Sequence, residues 1–445
     1  MKMKKAIIIF TRVPEAGKTK TRMMPYFSGK QCAKLHECFL KDIKRECEKV
    51  DADVFVFCTP KGKEEKLYPI FGKKTTYYFQ SGETLGERMC NAMEAVFEKG
   101  YEASILIGTD IPEIKAQDLN QAFFKLQEND IVFGPSMDGG YYLIGMKKLQ
   151  KAVFEQQSYG HGEVLRNTVQ QLTKRKYKVG YTRQLYDMDT RKDLIGYRKR
   201  MRQDKSLKNT WTSRYLMHIS KISVIIPTYN EEKTIVELQE RLLPYQNQCE
   251  IIFVDGGSTD RTLELIRPEF KVIHSKKGRA NQMNIGAQKS QGDILFFLHC
   301  DSELPTNFLQ EIREVMQNVQ VGCFGIAFHS KNFFMFTCRV ISNHRIKDRK
   351  VMFGDQGIFI ERELFFEVGM FPTIPIMEDY QFSLNLKAQK EKLGITKHRI
   401  YTSDRRFPKG TLPKLKVMWK MNRLRKMYRD GVDIEEISKM YRDIR

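Results

Sequence analysis

Residues 222–260 read ISVIIPTYNEEKTIVELQERLLPYQNQCEIIFVDGGSTD, a pattern that predicts two consecutive strand–loop–helix units. The β-branched run 222–226 precedes a polar turn, and apolar residues at helical spacing follow that turn. A second apolar run, 251–254, ends on 255–260 and enters another helical pattern. Two such units imply a parallel sheet, and open parallel sheets bind ligands beyond the carboxyl ends of their strands. Both polar loops fall at that edge.

The two loops resemble those of family-two glycosyltransferases, which are inverting nucleotide-sugar enzymes of GT-A fold. The alternative interpretation is that each loop contains only ordinary turn residues, because Pro, Asn, Asp and Gly end strands in many α/β proteins. The combination of both loops at this spacing favours the family interpretation. The resemblance implies that the nucleotide is held by Thr228, Tyr229, Glu231 and Asp255.

The composition is that of a globular protein with excess positive charge. At 445 residues, with 41% hydrophobic and 29% charged residues, the chain is long enough for two or three domains. The 76 Lys and Arg against 54 Asp and Glu give a net charge of +22, which favours a nucleotide diphosphate, nucleic acid or an anionic membrane as partner. We expect no nucleic-acid partner, because the basic segments lack the aromatic signature of RNA-binding modules.

The lengths of the apolar runs and the arrangement of the cysteines indicate in which cellular compartment the protein is found. No apolar run approaches the roughly 20 residues that span a bilayer, and the run at 6–10 is too short for a signal peptide. The nine cysteines are scattered and contain no C-x-x-C pair, which favours a reducing environment over disulfides or a zinc module. We therefore expect a cytoplasmic protein.

The first half, residues 1–194, predicts another α/β domain. Its first strand leads into the loop 11–22, whose glycine and four basic residues can present N–H groups and positive charge to phosphates. Asp110, Asp138 and Asp189 stand where strands are predicted to end, and carboxylates there suit a divalent ion that bridges a diphosphate. A solvated turn and helix caps are the alternatives.

This half resembles the first arsenosugar-biosynthesis glycosyltransferase family, a GT-A-like group related to small nucleotidyltransferases. The matching segments are Pro14, Gly17, residues 20–22, 85–88, 110–112 and 138–142. The resemblance implies phosphate contacts by Lys20 and Arg22, and a metal on Asp110 with Asp189 as a second ligand. The other candidate site residues are Glu87, Arg88 and Asp138. Glycosyl transfer, nucleotidyl transfer that makes the donor, and non-catalytic nucleotide binding all stay open.

Residues 195–221 are dense in cations and poor in apolar periodicity, which predicts a basic linker between domains 1–194 and 222–445. The fold class predicted for the whole chain is α/β, with two tandem GT-A domains of Rossmann-like type.

In family-two enzymes the strand matching 294–298 ends on an Asp-x-Asp motif that binds Mg²⁺ or Mn²⁺. Here the motif is His-Cys-Asp, and the resemblance implies Asp301 as metal ligand with His299 beside it. Imidazole suits Mn²⁺ better than Mg²⁺. The resemblance also implies diphosphate contact by Arg279 and nucleotide-sugar contact by Gln356.

The pair Glu378 and Asp379 opens a helical pattern, where negative charge is favourable in any case. The resemblance makes Asp379 the general base that takes the proton of an acceptor hydroxyl, with Glu378 beside it. The second half most resembles the second arsenosugar-biosynthesis transferase family. The predicted function is therefore inverting transfer of a sugar from a nucleoside-diphosphate donor to a hydroxyl acceptor, either a small molecule or a lipid.

The tail combines Ser403–Phe407 with a basic amphipathic pattern over 412–428. Such a helix can lie on the inner face of an anionic membrane. It can equally pack on the catalytic domain with its cations solvated.

Overall fold

The structure is a computed structural model that describes residues 3–155, 157, 159–329, 333–402 and 411–442. The chain divides into two compact units, Met1–Leu216 and Met217–Arg445.

The first unit is built on a mixed sheet. Its strands are β1 Lys5–Arg12, β2 Asp53–Thr59, β3 Thr76–Phe79, β4 Ala103–Gly108, β5 Ile131–Pro135, β6 Tyr141–Met146 and β7 Val179–Tyr181. Among the described residues the sheet has seven strands in the order β3-β2-β1-β4-β6-β5-β7. β1 pairs in parallel with β2 and β4, and residues 6–9 are fully buried. A short apolar run covered on both faces is what a central parallel strand requires.

Helices cover both faces of this sheet. They are α1 Gly29–Cys47, α2 Tyr68–Phe71, α3 Leu85–Phe97, α4 Ala116–Lys125, α5 Val164–Lys174, α6 Arg191–Gln203, α7 Lys205–Lys208 and α8 Trp211–His218. Two apolar clusters, one around Ile7, Ile9 and Ile105 and one around Ile8, Met93 and Phe133, form the core.

The sequence analysis describes residues 195–221 as a basic linker, whereas the structure folds most of them onto the first unit. Tyr197 is fully buried, and its hydroxyl lies 3.1 Å from Ser213 Oγ. Arg200 binds Glu113 at 2.5 Å, and the buried carboxylate of Asp42 accepts the backbone N–H of Trp211, which anchors the start of α8. Lys199, Lys205 and Arg214 in this stretch are exposed, whereas Arg198 is buried.

The second unit repeats the architecture. Its strands are β8 Ile222–Thr228, β9 Glu250–Asp255, β10 Lys271–His274, β11 Ile294–Phe297, β12 Ser302–Glu303, β13 Val321–Phe328, β14 Ile358–Glu361 and β15 Leu393–Thr402. Within the described ranges they form one eight-stranded sheet in the order β10-β9-β8-β11-β14-β13-β15-β12. β10, β9, β8 and β11 are parallel, and β14 joins β11 antiparallel. The strands predicted at 222–226, 251–254 and 294–298 are confirmed.

The helices of the second unit are α9 Ile235–Leu242, α10 Thr262–Leu265, α11 Arg279–Lys289, α12 Phe308–Met316, α13 Phe333–Arg349, α14 Arg362–Glu367, α15 Glu378–Ala388, α16 Thr411–Arg429 and α17 Ile434–Arg442. Apolar clusters lie on both faces of the sheet. Two mixed, Rossmann-like α/β sheets in one chain confirm the predicted fold class of tandem GT-A domains.

The tail helix α16 has two kinds of surface. Leu424 is 2% exposed and packs in a small apolar cluster with Val351, Ile376 and Tyr380. Trp419, by contrast, is 63% exposed. The tail segment 403–407 lies outside the described residues. No helix in the described part of the chain has both the length and the hydropathy of a membrane span.

Candidate active site

Hydrogen bonds connect the two polar loops of the second unit, which follow the carboxyl ends of β8 and β9. The backbone N–H of Gly256 donates to the carbonyl of Thr228 over 2.9 Å. Gln282 of α11 donates its side-chain amide to the carbonyls of Thr228 (2.7 Å) and Val254 (2.8 Å). The role of Gln282 is not predictable from the sequence, because a helical pattern does not show which distant carbonyl groups a glutamine side chain reaches.

Thr228 and Asp255, both predicted to hold the nucleotide, are enclosed within these loops. Thr228 is fully buried, and its hydroxyl donates to the carbonyl of Ile226 over 3.1 Å. Asp255 is 1% exposed and accepts the N–H of Gly257 (2.8 Å) and the hydroxyl of Ser258 (2.6 Å). Both side chains therefore shape the loops that would meet a ligand.

Tyr229 and Glu231 are less enclosed. The ammonium of Lys277 lies 4.0 Å from the centre of the Tyr229 ring, which joins the first loop to the basic segment before α11. Glu231 accepts the hydroxyl of Thr234 over 2.6 Å. An aromatic ring beside a lysine can contact a nucleotide's base and phosphates.

His299 and Asp379 both lie close to Gly354. The backbone N–H of Gly354 donates to Asp379 Oδ2 over 2.8 Å. A Cβ atom added at Gly354 would stand 2.8 Å from His299 Nε2 and 3.5 Å from Asp379 Oδ2. The structure thus brings together residues 80 positions apart, as the numbering 299 and 379 shows. Asp301 follows His299 by two residues and is half-buried.

Glu378 and Arg279 form an ion pair beside this point. Arg279 Nε lies 2.5 Å from Glu378 Oε1, and Glu378 is 2% exposed. Although burial alone acts in the opposite direction, the Glu378 carboxylate raises the pKa of Arg279. Arg279, predicted as a diphosphate contact, therefore has a carboxylate partner on the start of α15.

Gln356 is enclosed in the turn that carries Gly354. It is 1% exposed, and its Oε1 accepts the backbone N–H of Phe353 over 3.1 Å. Its Nε2 has no hydrogen-bond partner among the described residues. A buried unpaired amide donor is costly, so this N–H is suited to an acceptor atom from a ligand.

In the first unit, Lys20 stands between two of the predicted carboxylates. Its ammonium is 2.6 Å from Asp110 Oδ1 and 2.8 Å from Asp189 Oδ1, and the Lys20 side chain is 3% exposed. Burial raises the pKa of Asp110, but Lys20 outweighs this and holds that pKa below its usual range. The structure therefore joins Lys20, Asp110 and Asp189 in one cluster.

Asp187 is a third carboxyl group at this cluster, and it is not among the residues predicted from the sequence. Burial raises the pKa of Asp187 to about 7, and the charges of Asp138, Asp110 and Asp189 act in the same direction. Its Oδ2 atom is buried without a hydrogen-bond partner within the described ranges. The only feature of the sequence that indicates a role for Asp187 is its position two residues before Asp189.

In the described structure, Glu87 and Arg88 make hydrogen bonds within the loop that precedes α3 and the start of that helix. Glu87 and Thr84 form a capping box at the start of α3, and Arg88 Nε donates to the carbonyl of Gly82 over 2.9 Å. Arg22 is 74% exposed at 3.9 Å from Asp189. Asp138 accepts the hydroxyl of Ser136 and the N–H of Gly140.

Two family comparisons divide the chain as its units do. Residues 223–367 match the family described as glycosyl transferase family 2, and residues 43–161 match a family described as an uncharacterized protein conserved in bacteria (DUF2064). An uncharacterized glycosyltransferase of Haemophilus influenzae is 30% identical over 196 residues, covering 40% of this chain and 76% of that protein. The chain belongs to glycosyltransferase family 2.

Other similarities of this glycosyltransferase are partial. An undecaprenyl-phosphate 4-deoxy-4-formamido-L-arabinose transferase of Pectobacterium carotovorum is 34% identical over 109 residues, which are 22% of this chain and one third (33%) of that protein. A crystal structure of a candidate nucleotide-diphospho-sugar transferase from Desulfovibrio desulfuricans is 31% identical, covers 49% of this chain and 95% of its own, and has a TM-score of 0.46.

The donor atoms at the end of β11 fit a divalent ion that binds together with its substrate. Asp301 supplies a carboxylate and His299 an imidazole. In the described part of this glycosyltransferase, no group of three or more His, Cys, Asp or Glu side chains could hold a metal ion. Ions such as Mg²⁺ are commonly held by one or two protein ligands plus substrate phosphates, so this pair fits such a site.

Proposed function

We propose that the second unit transfers a sugar, with inversion, from a nucleoside-diphosphate donor to a hydroxyl acceptor. The observation that supports this most directly is the approach of both His299 and Asp379 to Gly354, close to the carboxyl end of β11. His299 would lie near the metal ion and Asp379 would act as the base. Their proximity would place the leaving diphosphate and the attacking hydroxyl at the same anomeric carbon. The arsenosugar-type resemblance remains part of this proposal.

Asp379 acts as the general base in this proposal. Its two oxygens accept the N–H groups of Gly354 (2.8 Å) and Tyr380 (2.7 Å), which fix the plane of the carboxylate. The remaining lone pairs are available to an acceptor hydroxyl, whose proton must leave as its oxygen attacks. The ion pair between Arg279 and Glu378 holds the start of α15, and so holds Asp379, against α11.

Tyr229, Lys277 and Asp301 receive the donor. Tyr229 stacks on the base and Lys277 contacts the phosphates, while the buried Thr228 and Asp255 keep their loops in shape. Asp301 and His299 would hold Mn²⁺ or Mg²⁺, which neutralises charge on the departing diphosphate when bound.

Nucleotide-sugar binding to the full-length protein tests this proposal. We expect one nucleoside-diphosphate sugar, with Mn²⁺ present, to raise the unfolding temperature by several degrees, because a ligand bound only by the native state adds stability. Turnover with a hydroxyl acceptor should then give a product of inverted anomeric configuration by NMR. Stabilisation by no nucleotide sugar, or a product with retained configuration, would contradict the proposal.

For the first unit we propose a second transferase site at Lys20, Asp110, Asp187 and Asp189, either glycosyl or nucleotidyl. Lys20 now neutralises Asp110 and Asp189, and these two carboxylates would share a divalent ion with the phosphates of a bound substrate. Release of pyrophosphate from a nucleoside triphosphate and a sugar phosphate would indicate nucleotidyl transfer. If Asp110→Ala leaves every turnover unchanged, the unit is regulatory.

Lys20→Met should destabilise the first unit by about 1–3 kcal/mol, because two carboxylates lose their enclosed counter-ion. Added Mg²⁺ should recover more stability in this variant than in the wild type, since a dication then meets uncompensated carboxylates. Lys34→Met, which removes an exposed ion pair with Glu37, is the control and should change little. Thermal unfolding with and without Mg²⁺ measures both effects, and an equal Mg²⁺ response in all three proteins would argue against a cation site.

We propose that α13 and α16 of the second unit contact an anionic membrane surface. Five large apolar side chains on these helices are exposed by 46% to 63%: Phe336, Val340, Ile341, Leu415 and Trp419. Cys338 Sγ and Met418 Sδ are 3.0 Å apart, which places the two helices side by side. Lys416, Lys420 and Arg423 flank the apolar residues, and basic amphipathic helices bind anionic lipid headgroups.

Trp419→Ser should weaken binding to vesicles of phosphatidylcholine with 30% phosphatidylglycerol by about 10-fold, because one large apolar side chain no longer leaves water. Trp211→Ser is the matched control: Trp211 is the other tryptophan of the chain, 41% exposed on α8. Sedimentation with vesicles measures binding, which should also fall as salt is added. Equal losses in both variants would exclude a specific contact through α16.

A further inference from the structure

Two arginines from different helices of the second unit meet over one aromatic ring. The guanidinium carbon of Arg345, on α13, lies 4.1 Å from the centre of the Phe353 ring, and that of Arg425, on α16, lies 4.7 Å from it. Both Nε atoms are buried, and neither has a hydrogen-bond partner within the described part of the chain. Each guanidinium thus lies against the Phe353 ring with an Nε–H group that no described residue accepts, and Arg425 also donates from Nη1 to Asn422 Oδ1 over 3.0 Å.

The charges around this pair leave an excess of positive charge. Burial lowers the pKa of Arg345 to about 10, and the charge of Arg425 acts in the same direction. The charges of Asp355 and Asp379 attract both arginines. Arg349 acts on Arg345, and Arg429 acts on Arg425, as further positive charges. Among the described residues, Arg349 and Arg429 thus add positive charge to the pair, and Asp355 and Asp379 add negative charge. Adjacent buried cations are costly without an anion, and an oxyanion would both neutralise them and accept their free N–H groups.

The arginine pair lies beside the proposed base. Phe353 immediately precedes Gly354, whose N–H binds Asp379, and the Phe353 ring is parallel to that of Tyr380 within 11°, at 6.1 Å. Arg429 donates to the hydroxyl of Tyr380 over 3.1 Å. The loops proposed to receive the donor nucleotide, by contrast, follow β8 and β9. The base side of the site is where the acceptor must lie.

We propose that Arg345 and Arg425 bind a phosphate-type oxyanion carried by the acceptor, so that the acceptor is a hydroxyl compound or lipid bearing a phosphate group. This inference rests on the proposed glycosyl transfer for its purpose, but the anion site itself can be measured without any transfer. Its geometry favours phosphate, because the forked guanidinium offers two parallel N–H groups to a tetrahedral oxyanion.

The first test is binding of inorganic phosphate to the full-length protein by calorimetry, with UDP and Mn²⁺ present at saturation. We expect phosphate to bind under these conditions, and the double variant R345Q/R425Q to bind at least about 10-fold more weakly. The control R241Q/R267Q has the same loss of charge in the second unit, at arginines paired with Glu237 and Glu240, and should bind as the wild type does. R345K/R425K keeps the charge without the fork and should be intermediate.

A short-chain lipid phosphate, dioctanoyl phosphatidic acid below its micelle concentration, distinguishes the two sources of phosphate. Tighter binding than inorganic phosphate, lost in R345Q/R425Q, indicates a lipid acceptor. Equal binding indicates a soluble one. Absence of phosphate binding, equal losses in both double variants, or complete competition by UDP would overturn the proposal; the last outcome would reassign the pair to the donor's diphosphate.

The measurement separates this inference from the proposed function. If no nucleotide sugar is turned over, phosphate binding that depends on Arg345 and Arg425 still establishes the anion site. If transfer occurs but R345Q/R425Q transfers as fast as R241Q/R267Q, only the anion site fails. The unfolding temperature of each variant shows whether a loss of binding reflects a loss of fold.

Discussion

Replacing Asp379 with asparagine is expected to reduce sugar transfer by about 10³-fold, within the 10²–10⁴-fold range of general acid–base catalysis. Asparagine has nearly the same shape as aspartate but cannot accept the proton of the acceptor hydroxyl. One of its two terminal atoms still accepts a backbone N–H, from either Gly354 or Tyr380, so about one hydrogen bond of roughly 1 kcal/mol is lost. Turnover should therefore fall far more than the unfolding temperature does.

The same variant should keep its affinity for the nucleotide sugar, because Asp379 faces the acceptor in the proposed mechanism. Glu264→Gln, at an exposed carboxylate paired with Arg261, is the control for a lost negative charge in the second unit. Turnover, donor affinity and unfolding temperature are measured for the three proteins. If Asp379→Asn retains turnover within about 10-fold of wild type, less than the smallest general-base effect, its carboxylate only stabilises the start of α15.

The sheets of both units were predictable because short apolar runs alternate with helical patterns. Residues 222–226 and 294–298 are such runs, and β8 and β11 pair side by side in parallel. That pairing brings the turn after residue 228 and the motif at 299–301 to one edge. Pattern and spacing suffice for this step, since parallel strands end together.

Side-chain partners were not predictable, because they depend on contacts between distant segments. Arg279 looks like a free phosphate contact in the sequence, yet its partner is Glu378, 99 positions later. Thr228 looks like a ligand-facing turn residue, yet it is fully buried. Arg345 and Arg425 both contact Phe353, although the sequence carries no prediction for α13 and describes the cations of α16 as solvated or membrane-facing.

Residues 195–221 show that composition alone can fail to predict a folded segment. Composition describes it as a linker, since cations outnumber apolar residues. Its fold depends on a few enclosed contacts, such as that of Tyr197 with Ser213 and the anchoring of Trp211 by Asp42. A handful of buried groups can fix a helix whose remaining surface carries no apolar pattern.

Replacing Gly354 with alanine is expected to reduce transfer by about 10²-fold, the size of effect that a displacement near 1 Å produces in an active site. Gly354 has no positive φ angle, so alanine meets no backbone strain there. Its new methyl group would, however, stand 2.8 Å from His299 Nε2 and 3.0 Å from Cε1, and must push the imidazole away. The displacement falls on the residue beside Asp301, so the dependence of turnover on Mn²⁺ concentration should shift as well.

Gly325→Ala separates this local effect from a general cost of adding a methyl group to the second unit. A Cβ there first meets Cγ of the flexible Arg399 side chain at 3.2 Å, which can move aside. We expect Gly325→Ala to keep near-normal turnover, and Gly354→Ala to lose turnover while still binding the donor, because Tyr229 and Lys277 lie on other loops. Steady-state kinetics over a range of Mn²⁺ concentrations measures this. Normal kinetics in Gly354→Ala would mean that His299 moves freely without consequence, and the imidazole would then have no part in the reaction, leaving Asp301 as the sole metal-side residue of the proposed site.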